Sequence, residues 1–421
     1  MITEKRKILV PIFNRAHYGR LRTVLSAIKN HPGLELQIIV GVPAAYDNFF
    51  ANIKHSRPRS WLIALPWYVL GRFRSFLGKN YVLKNDFLAK NLLQDGFPVN
   101  GYVSFFLDGG NSETMAKSAG LGIIKLADKL KQLKPDIVFV NADRFEMMAV
   151  AMAASYLNVL IAHNEGGDLS GTLDESIRHA ITKLAHIHFT ATTASRKRVI
   201  QMGENPNFVF NVGSPAIDAV CRLNKNTVSD IINKVGENFL LALMHPVATV
   251  SKDENKFMAN VLIKSLDELG LDVVLLGSNI DAGSDELGRI IKDWANKEKN
   301  FKVFFTKHLP PDDFYGLLNK TVCAVGNSSS FIREGAYFGT PVVLTGSRQN
   351  SRERGDNVIE TIMDSNEIVT AVKQQLEVGR YPQNIMFGDG NAGEKIAEIL
   401  ARVNPKIQKH FYNFGNNLNK I

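Results

Sequence analysis

The chain has 421 residues, of which 45% are hydrophobic and 22% charged, and its formal net charge is +9. This composition is typical of a globular protein, and the length exceeds what one hydrophobic core usually serves, so we expect two domains. No apolar run approaches the roughly 20 residues that cross a bilayer, which excludes a membrane-spanning helix.

The positive charge is unevenly distributed, because residues 54–90 contain eight Lys or Arg against the single acid Asp86. A basic surface can bind nucleic acid, but a phosphorylated small molecule explains it at least as well, and we predict no nucleic-acid partner. Residues 1–13 lack the apolar core of a signal peptide, and Cys221 and Cys323 show no disulfide or metal pattern. We therefore expect a cytoplasmic location.

Short apolar runs alternate with amphipathic stretches in both halves of the chain. Strands are predicted at residues 7–12, 36–40, 136–140, 159–162, 239–244, 272–276, 302–305, 322–325 and 341–344. Helices are predicted at residues 21–29, 123–133, 147–157, 173–185, 256–269, 285–297, 312–319 and 331–338. The βαβ rhythm indicates parallel sheets. With the best breakpoint at residues 203–207 and 212–215, we predict an α/β protein of two Rossmann-like domains with an interdomain cleft.

Residues 163–189 form a segment rich in histidines and carboxylates. His163 and Glu165 follow the predicted strand at 159–162, and the carboxyl ends of strands are where open α/β sheets bind ligands. Thr172 and Glu175 have the spacing of a capping box, which predicts the start of the helix at 173–185.

On that helix, Glu175, Arg178, His179 and Thr182 lie on the face opposite an apolar stripe. Two interpretations stay open at this point. The face is solvated, with ion pairs worth only tenths of a kcal/mol, or it lines a functional site.

Other polar side chains of the first half also follow predicted strands. Asp143 and Arg144 follow the strand at 136–140, and Arg15 and His17 follow the strand at 7–12. We expect Asp143 to converge with Glu165, Glu175 and His179, and mutual repulsion of the carboxylates would raise some of their pKa values and suit proton transfer.

A metal site is the main rival interpretation of this cluster. The chain has no HExxH motif, and Glu175 with His179 is a single candidate ligand pair, so we predict no metal. A serine nucleophile is disfavoured because no GxSxG elbow is present.

The second half contains two loops suited to anions. Ser328, Ser329 and Ser330 open a helix after the strand at 322–325, where free N–H groups and the helix dipole favour negative charge. An ordinary N-cap is the alternative interpretation. The loop at 346–355 adds three arginines, Arg348 among them, and together the loops favour a nucleotide diphosphate.

Two further residues complete the predicted cleft. Glu334 lies one turn into the helix at 331–338, where its carboxylate can accept hydrogen bonds from ribose hydroxyls. His245 follows the first strand of the second half and therefore lies at the rim of the cleft.

The chain resembles the hydrolysing UDP-N-acetylglucosamine 2-epimerase family. The resemblance is carried by the blocks at residues 14–21, 143–146, 163–189, 211–215, 245–246, 307–308, 326–334 and 348–357, and the blocks at 174–179 and 326–329 are the most specific. It implies a glycosyltransferase-B type fold, with an N-terminal domain at residues 1–205, a nucleotide-binding domain at 206–385, and a C-terminal helix and tail at 386–421 that return to the first domain.

The resemblance also implies roles for individual residues. Acid/base roles fall on Asp143, Glu165, Glu175 and His245. Substrate- or nucleotide-binding positions are Arg15, Arg144, His163, Arg178, His308, Ser328, Ser329, Ser330, Glu334 and Arg348, with Ser328, Ser329 and Arg15 at the diphosphate, Glu334 at the ribose and His308 near the base.

The implied reaction has two stages and needs no cofactor. Loss of the nucleotide diphosphate from C1 with removal of the C2 proton gives a glycal, and water then adds at C1 while a proton returns to C2 from the opposite face. The implied ligand is a nucleotide sugar, either UDP-N-acetylglucosamine or a UDP- or GDP-linked 2,4-diacetamido sugar. A glycosyltransferase and an inactive nucleotide-sugar-binding protein remain alternatives. We expect a homo-oligomer, a dimer or a tetramer.

Three departures from the family pattern are visible. Ala142 precedes Asp143 where the family commonly has glycine, and His17 stands where an acidic residue is usual. The apolar and basic residues 57–90 look like an insertion. Its apolar run at residues 61–70 is too short to span a membrane, and peripheral contact with an anionic membrane, a cleft cover, an oligomer interface and a packed helical hairpin all remain open.

Overall fold

The computed structural model describes residues 4–44, 87–109, 111–223, 229–247, 250–277, 284–306 and 309–413, without the side chains of residues 15, 16, 87, 229 and 284–286. Most of the predicted insertion at 57–90 therefore lies outside the described residues, as does His308. No described helix is long and apolar enough to cross a membrane.

The first half of the chain forms a parallel sheet. Its strands are β1 (Arg6–Ile12), β2 (Leu34–Pro43), β3 (Gly101–Phe106), β4 (Ile137–Asn141), β5 (Leu160–Asn164), β6 (Ile187–Thr190) and β7 (Val209–Asn211), in the order β3-β2-β1-β4-β5-β6-β7. The helices of this half are α1 (Arg15–Asn30), α2 (Phe87–Gln94), α3 (Ser112–Leu133), α4 (Phe145–Tyr156), α5 (Leu173–Leu184) and α6 (Thr193–Gln201), and a 3-10 turn covers Pro206–Phe208.

The second half forms another parallel sheet. Its strands are β8 (Phe239–Leu243), β9 (Asp272–Leu276), β10 (Val303–Thr306), β11 (Cys323–Gly326), β12 (Val342–Thr345) and β13 (Val358–Thr361), in the order β10-β9-β8-β11-β12-β13. The helices that follow are α7 (Pro215–Cys221), α8 (Ser229–Val235), α9 (Lys252–Leu269), α10 (Ser284–Ala295), α11 (Pro311–Lys320), α12 (Ser329–Phe338), α13 (Ser365–Val378) and α14 (Ala392–Arg402).

The central strands are almost entirely apolar because both faces of each sheet are covered. Every residue of β4, IVFVN, and of β8, FLLAL, is buried. Successive side chains point to opposite faces, so Phe139 packs in the cluster that includes α1 while Val138 packs in the cluster that includes α4. Two parallel sheets covered by helices confirm the predicted α/β class.

The last helix packs against the first one. Ile396 and Leu400 of α14 belong to the same buried cluster as Leu21 and Leu25 of α1. The start of α14 is capped from outside, since the buried carboxylate of Asp218 accepts hydrogen bonds from the amides of residues 392 and 393 at 2.9 and 2.7 Å. The predicted boundaries at residues 205 and 385 stay predictions.

The strand order reverses once in each sheet, between β1 and β4 and between β8 and β11. In an open parallel sheet, the loops leaving the carboxyl ends of two such strands diverge and leave a crevice, which is where ligands bind. The loops after these four strands are therefore the first place to look for a site.

Candidate active site

At the reversal point of the first sheet, a buried carboxylate joins two loops. Glu146 Oε1 accepts hydrogen bonds from Arg144 Nε at 2.8 Å and from Asn14 Nδ2 at 3.4 Å. Asn14 also caps α1, because its side chain accepts from the amide of His17 at 2.8 Å. The loops after β1 and β4 are thereby fixed to each other. Arg15 begins α1, but its side chain lies outside the described residues.

His163 supports the turn that carries Asp143. Its Nε2 lies 2.9 Å from the carbonyl oxygen of Ala142, and its Nδ1 lies 3.1 Å from Thr182 Oγ1. Burial lowers the pKa of His163 to about 3, so the ring is neutral at physiological pH. A carbonyl only accepts hydrogen bonds, so Nε2 carries the proton and Nδ1 is an acceptor beside the Thr182 hydroxyl, which also donates to the Arg178 carbonyl at 3.0 Å. His163 therefore orients the turn and is no acid or base.

The polar face of α5 points inward. Arg178 is buried, forms an ion pair with Asp143 through Nη2, and donates from Nη1 to the carbonyl oxygen of Asp168 at 2.6 Å. Thr182 on the same face is fully buried. The interpretation of this face as a solvated surface is wrong for these two residues.

The capping box predicted for Thr172 and Glu175 is wrong. Thr172 occupies the N-cap position of α5 without a capping hydrogen bond, because its hydroxyl lies 3.3 Å from Asp174 Oδ2 instead. Glu175 Oε2 accepts from the amide of Ser170 at 2.5 Å, and Oε1 lies 3.8 Å from His179 Nε2. Glu175 thus stabilises the glycine-containing loop that precedes the helix.

Glu165 is buried and is held by residues from the second half of the chain. Its Oε1 accepts a hydrogen bond from Arg333 Nη1 at 2.6 Å and lies 3.5 Å from Ser214 Oγ. Burial alone would raise the pKa of Glu165, but Arg333, with Arg20 and Arg352, holds it below its ordinary value. Repulsion among carboxylates, which we expected to raise some of the pKa values in this cluster, does not govern Glu165, and this group is ionised at neutral pH.

Three buried residues around Glu165 were not among the predicted site residues. Arg333 is one, and Asp168 and Arg352 are the others. Asp168 Oδ1 accepts from Ser195 Oγ at 2.8 Å, and burial raises the pKa of its carboxyl group. Arg352 Nε donates to the carbonyl oxygen of residue 169 at 3.1 Å, and burial lowers the pKa of Arg352 to about 10. In the sequence, Arg333 stands out as a charged residue that follows apolar residues at the start of a helix.

At the reversal point of the second sheet, Asn327 holds His245. The Asn327 side chain accepts from the His245 amide at 2.7 Å and donates to the His245 carbonyl at 2.8 Å. Asn327 reaches this position because Gly326 has a φ of 141°, and a Cβ there would lie 1.9 Å from the carbonyl oxygen of Leu243. Arg348 Nη1 also donates to the Asn327 carbonyl at 3.2 Å, which joins the serine and arginine loops.

The start of α12 provides groups suited to an anion and to hydroxyls. Ser328 caps the helix by accepting from the amide of Ser330 at 3.3 Å, and Ser329 and Ser330 are half-buried. Glu334 is 1% exposed, and neither of its carboxylate oxygens has a hydrogen-bond partner among the described residues. Burial raises the pKa of Glu334. A buried acceptor without a donor is rare in a folded protein and marks a place where a ligand hydroxyl fits.

The loops of the two halves touch. The Gly171 amide donates to the Arg348 carbonyl at 3.1 Å, and a Cβ on Gly171 would lie 2.1 Å from the Ser347 carbonyl oxygen, so only glycine permits this approach. Thr192 Oγ1 donates to Glu353 Oε2 at 2.6 Å. The loop after β5 therefore contacts the arginine loop of the second half directly. Within the described ranges, no group of three or more His, Cys, Asp or Glu side chains is arranged to hold a metal ion.

A family model described as UDP-N-acetylglucosamine 2-epimerase matches residues 85–401. The match covers most of the chain. The chain belongs to the UDP-N-acetylglucosamine 2-epimerase family. The family resemblance of the sequence is thereby confirmed.

Two relatives match nearly the full length of this epimerase-family chain. It is 30% identical over 406 residues to the hydrolysing UDP-N,N'-diacetylbacillosamine 2-epimerase of Legionella pneumophila, covering 94% of this chain and 96% of that protein. It is 29% identical over 417 residues to a UDP-N-acetylglucosamine 2-epimerase of Neisseria meningitidis, covering 96% and 98%.

A solved structure shows the same fold. The UDP-GlcNAc 2-epimerase of Methanocaldococcus jannaschii, in complex with UDP-GlcNAc and UDP, matches with a TM-score of 0.72 at 18% identity, covering 94% of this chain and 99% of that chain. The predicted two-domain fold of the glycosyltransferase-B type is confirmed.

Ala142 gives a test of the turn before Asp143 in this family member. It has a φ of 62°, a left-handed conformation that costs a residue with a Cβ about 1–2 kcal/mol and glycine almost nothing. Glycine loses about 0.5–1 kcal/mol through chain entropy, so we expect Ala142→Gly to raise the thermal unfolding midpoint by about 1–3 °C. Ala162→Gly, within buried β5, should lower it. If both variants lowered the unfolding midpoint equally, the left-handed conformation of Ala142 would not be a source of strain.

Proposed function

We propose that the protein is a hydrolysing nucleotide-sugar 2-epimerase, which converts UDP-N-acetylglucosamine or a close relative to a free N-acetylmannosamine-type sugar and UDP. The observation that carries the proposal is the direct contact between Glu165 and α12, the helix that bears Ser328 and Glu334. Carboxylates suited to proton transfer thereby lie beside groups suited to a nucleotide. Membership of the family supports the same reaction.

The nucleotide binds on the second half in this proposal. The first turn of α12 offers amide N–H groups and the positive end of the helix dipole to the diphosphate, together with the hydroxyls of Ser328, Ser329 and Ser330. Arg348, tied to this loop through Asn327, adds a cation. Glu334 accepts hydrogen bonds from the ribose hydroxyls, which satisfies its buried carboxylate. His308 near the base rests on the family resemblance.

The first stage is an elimination. A carboxylate removes the C2 proton, the electrons of that C–H bond form the C1=C2 bond of a glycal, and the C1–O bond electrons depart with the diphosphate. We assign the proton transfers to Asp143, Glu165 and Glu175 and stabilisation of the leaving group to His245 and Arg15. Arg178 and His163 hold Asp143 in place, and Arg144 fixes the adjoining loop.

The second stage adds water across the glycal. The water oxygen bonds to C1 and gives up a proton to one carboxylate, while a protonated carboxyl group on the other face delivers a proton to C2. The sum is nucleotide sugar plus water to free 2-epimer plus nucleoside diphosphate, with no redox change and no cofactor. Carboxyl groups on both faces of the sugar are required, which is why several are assigned.

A second substrate is favoured by one comparison. The relative from Legionella pneumophila bears the name of an epimerase for UDP-N,N'-diacetylbacillosamine. The same residues would perform the same two stages on a UDP- or GDP-linked 2,4-diacetamido sugar, because C4 and C6 take no part in the bond changes.

Proton NMR in D2O with a panel of UDP- and GDP-linked N-acetyl sugars tests the proposed reaction. We expect a free 2-epimerised sugar with deuterium at C2 and a stoichiometric amount of nucleoside diphosphate. A nucleotide-linked epimer would indicate a non-hydrolysing enzyme. Product formed only with an added acceptor would indicate a glycosyltransferase, and an unchanged panel would indicate a binding protein; each of these results contradicts the proposal.

The same assay tests the assigned residues. We expect Asp143→Asn and His245→Ala to lower kcat by at least about 100-fold, the usual loss when a proton-transfer or leaving-group residue is removed. Glu113→Gln, on the exposed surface of α3, is the matched control and should retain the wild-type rate. Wild-type turnover by Asp143→Asn or His245→Ala would show the assignment to be wrong.

Nucleotide binding tests the role of Glu334 separately. Hydrogen bonds to a charged group are worth about 1.5–3 kcal/mol, so Glu334→Gln should weaken UDP binding by about 10-fold or more in calorimetry. Binding of 2',3'-dideoxyuridine diphosphate, which lacks the ribose hydroxyls, should change little. Glu377→Gln, on the exposed surface of α13, is the control for loss of a carboxylate. An equal loss of affinity for both nucleotides would place Glu334 away from the ribose.

A further inference from the structure

The side chain of Glu165 is oriented by residues that do not belong to its own sheet. Glu165 follows β5, yet Arg333 at 2.6 Å lies in α12 and Ser214 at 3.5 Å immediately precedes α7. Its backbone is fixed by its own sheet, because the Glu165 amide donates to the Phe189 carbonyl at 2.9 Å. The first half therefore sets where Glu165 is, and the second half sets where its carboxylate points.

The backbone of Glu165 is held in an unfavourable conformation. Its φ is 64°, in the left-handed region that residues other than glycine seldom occupy. Such conformations persist only when the surroundings determine them, and they are concentrated at functional sites. Here the conformation directs the side chain toward α12.

Arg333 is a buried residue that hydrogen-bonds to Glu165. The side chain is 1% exposed, and Nη1 makes its hydrogen bond to Glu165. Its Nε lies 3.8 Å from Glu334 Oε2, and neither Nε nor Nη2 has a hydrogen-bond partner among the described residues. A fully buried arginine with so few hydrogen bonds is costly to maintain, and Glu165 at 2.6 Å is a closer ion-pair partner for its charge than Glu334 at 3.8 Å.

We propose that Arg333 is the positioning residue for Glu165, aiming its carboxylate at the substrate when α12 lies against the loop after β5. This inference rests on the proposed function, because it presumes that Glu165 transfers a proton. The same helix begins with Ser328, Ser329 and Ser330 and carries Glu334. The helix that binds the nucleotide in the proposed function therefore also orients the acid/base group.

Several charged or titratable groups face Glu165, and they fix the direction of any pH effect. They are Arg20 and His17 from α1, Arg352 from the arginine loop, Asp168 from its own loop, His163 from β5, and Arg333 and Glu334 from α12. Burial raises the pKa of Glu165, and Arg333 is the largest opposing influence. Without Arg333 the pKa rises, so the ionised base exists only at higher pH.

The pH dependence of turnover tests this role. For Arg333→Met we expect kcat at neutral pH to fall by about 100-fold, KM to stay within about threefold, and the acidic limb of the kcat profile to move up by about one pH unit or more. Arg333→Lys keeps the charge and should return the limb most of the way toward its wild-type position. UDP should bind Arg333→Met with wild-type affinity within about threefold.

A matched variant separates positioning from stability. Arg380→Met removes another arginine of the second half, an exposed one that donates to the backbone carbonyls of residues 321 and 338, and it should leave the limb unmoved. An unmoved limb with kcat within about twofold of wild type in Arg333→Met would overturn the proposal. A loss of UDP affinity equal to the loss of kcat would also overturn it.

A second measurement does not depend on turnover. Each of Glu165→Gln and Arg333→Met should lower the thermal unfolding midpoint, and the double variant should melt above Arg333→Met, because it removes the charge that Arg333→Met leaves on the buried Glu165. If wild-type protein turns over no nucleotide sugar, the proposed function fails while this coupling still reports the contact. If the midpoint shift of the double variant equalled the sum of the two single shifts, Glu165 and Arg333 would not be coupled, and the contact between them would be contradicted.

Discussion

The buried ion pair between Glu165 and Arg333 joins the two halves of the molecule at the place where the chemistry is proposed. An isolated charge in this environment would cost several kcal/mol, and removal of one partner of a buried pair typically costs about 3–5 kcal/mol. The ion pair therefore constrains the loop after β5 and helix α12 relative to each other. Arg352 and Asp168 lie beside it, and the loops that carry them contact each other through Gly171 and Arg348.

The two sheets organise their reversal points in the same way. In the first sheet, Asn14 and Glu146 tie the loop after β1 to the loop after β4. In the second sheet, Asn327 ties the loop after β11 to His245 after β8. In each case a side-chain amide joins loops that would otherwise diverge. The crevice that the strand order creates is thereby given fixed walls, and Glu165 with Arg333 sets the relation between them.

Local patterns predicted most of the fold and the placement of residues after strands. The apolar runs of β1, β4, β8 and β9 are recognisable because both sheet faces are buried, and those strands deliver Asp143 and His245 to the cleft. The surroundings of Glu165 were not predictable in this way, because its partner Arg333 is 168 positions away in the chain and nothing near either residue indicates the pairing. The capping box failed for a local reason, since Asp174 competes for the Thr172 hydroxyl and Ser170 for Glu175.

We propose that one helix, α12, both binds the nucleotide and holds Glu165, and a crystal structure of the protein with UDP bound would show whether it does. We expect the diphosphate at the amides and hydroxyls of Ser328, Ser329 and Ser330, the ribose hydroxyls on Glu334, and the Glu165–Arg333 hydrogen bond retained at about the present 2.6 Å. UDP bound away from α12, or bound there with Glu165 and Arg333 separated, would contradict it.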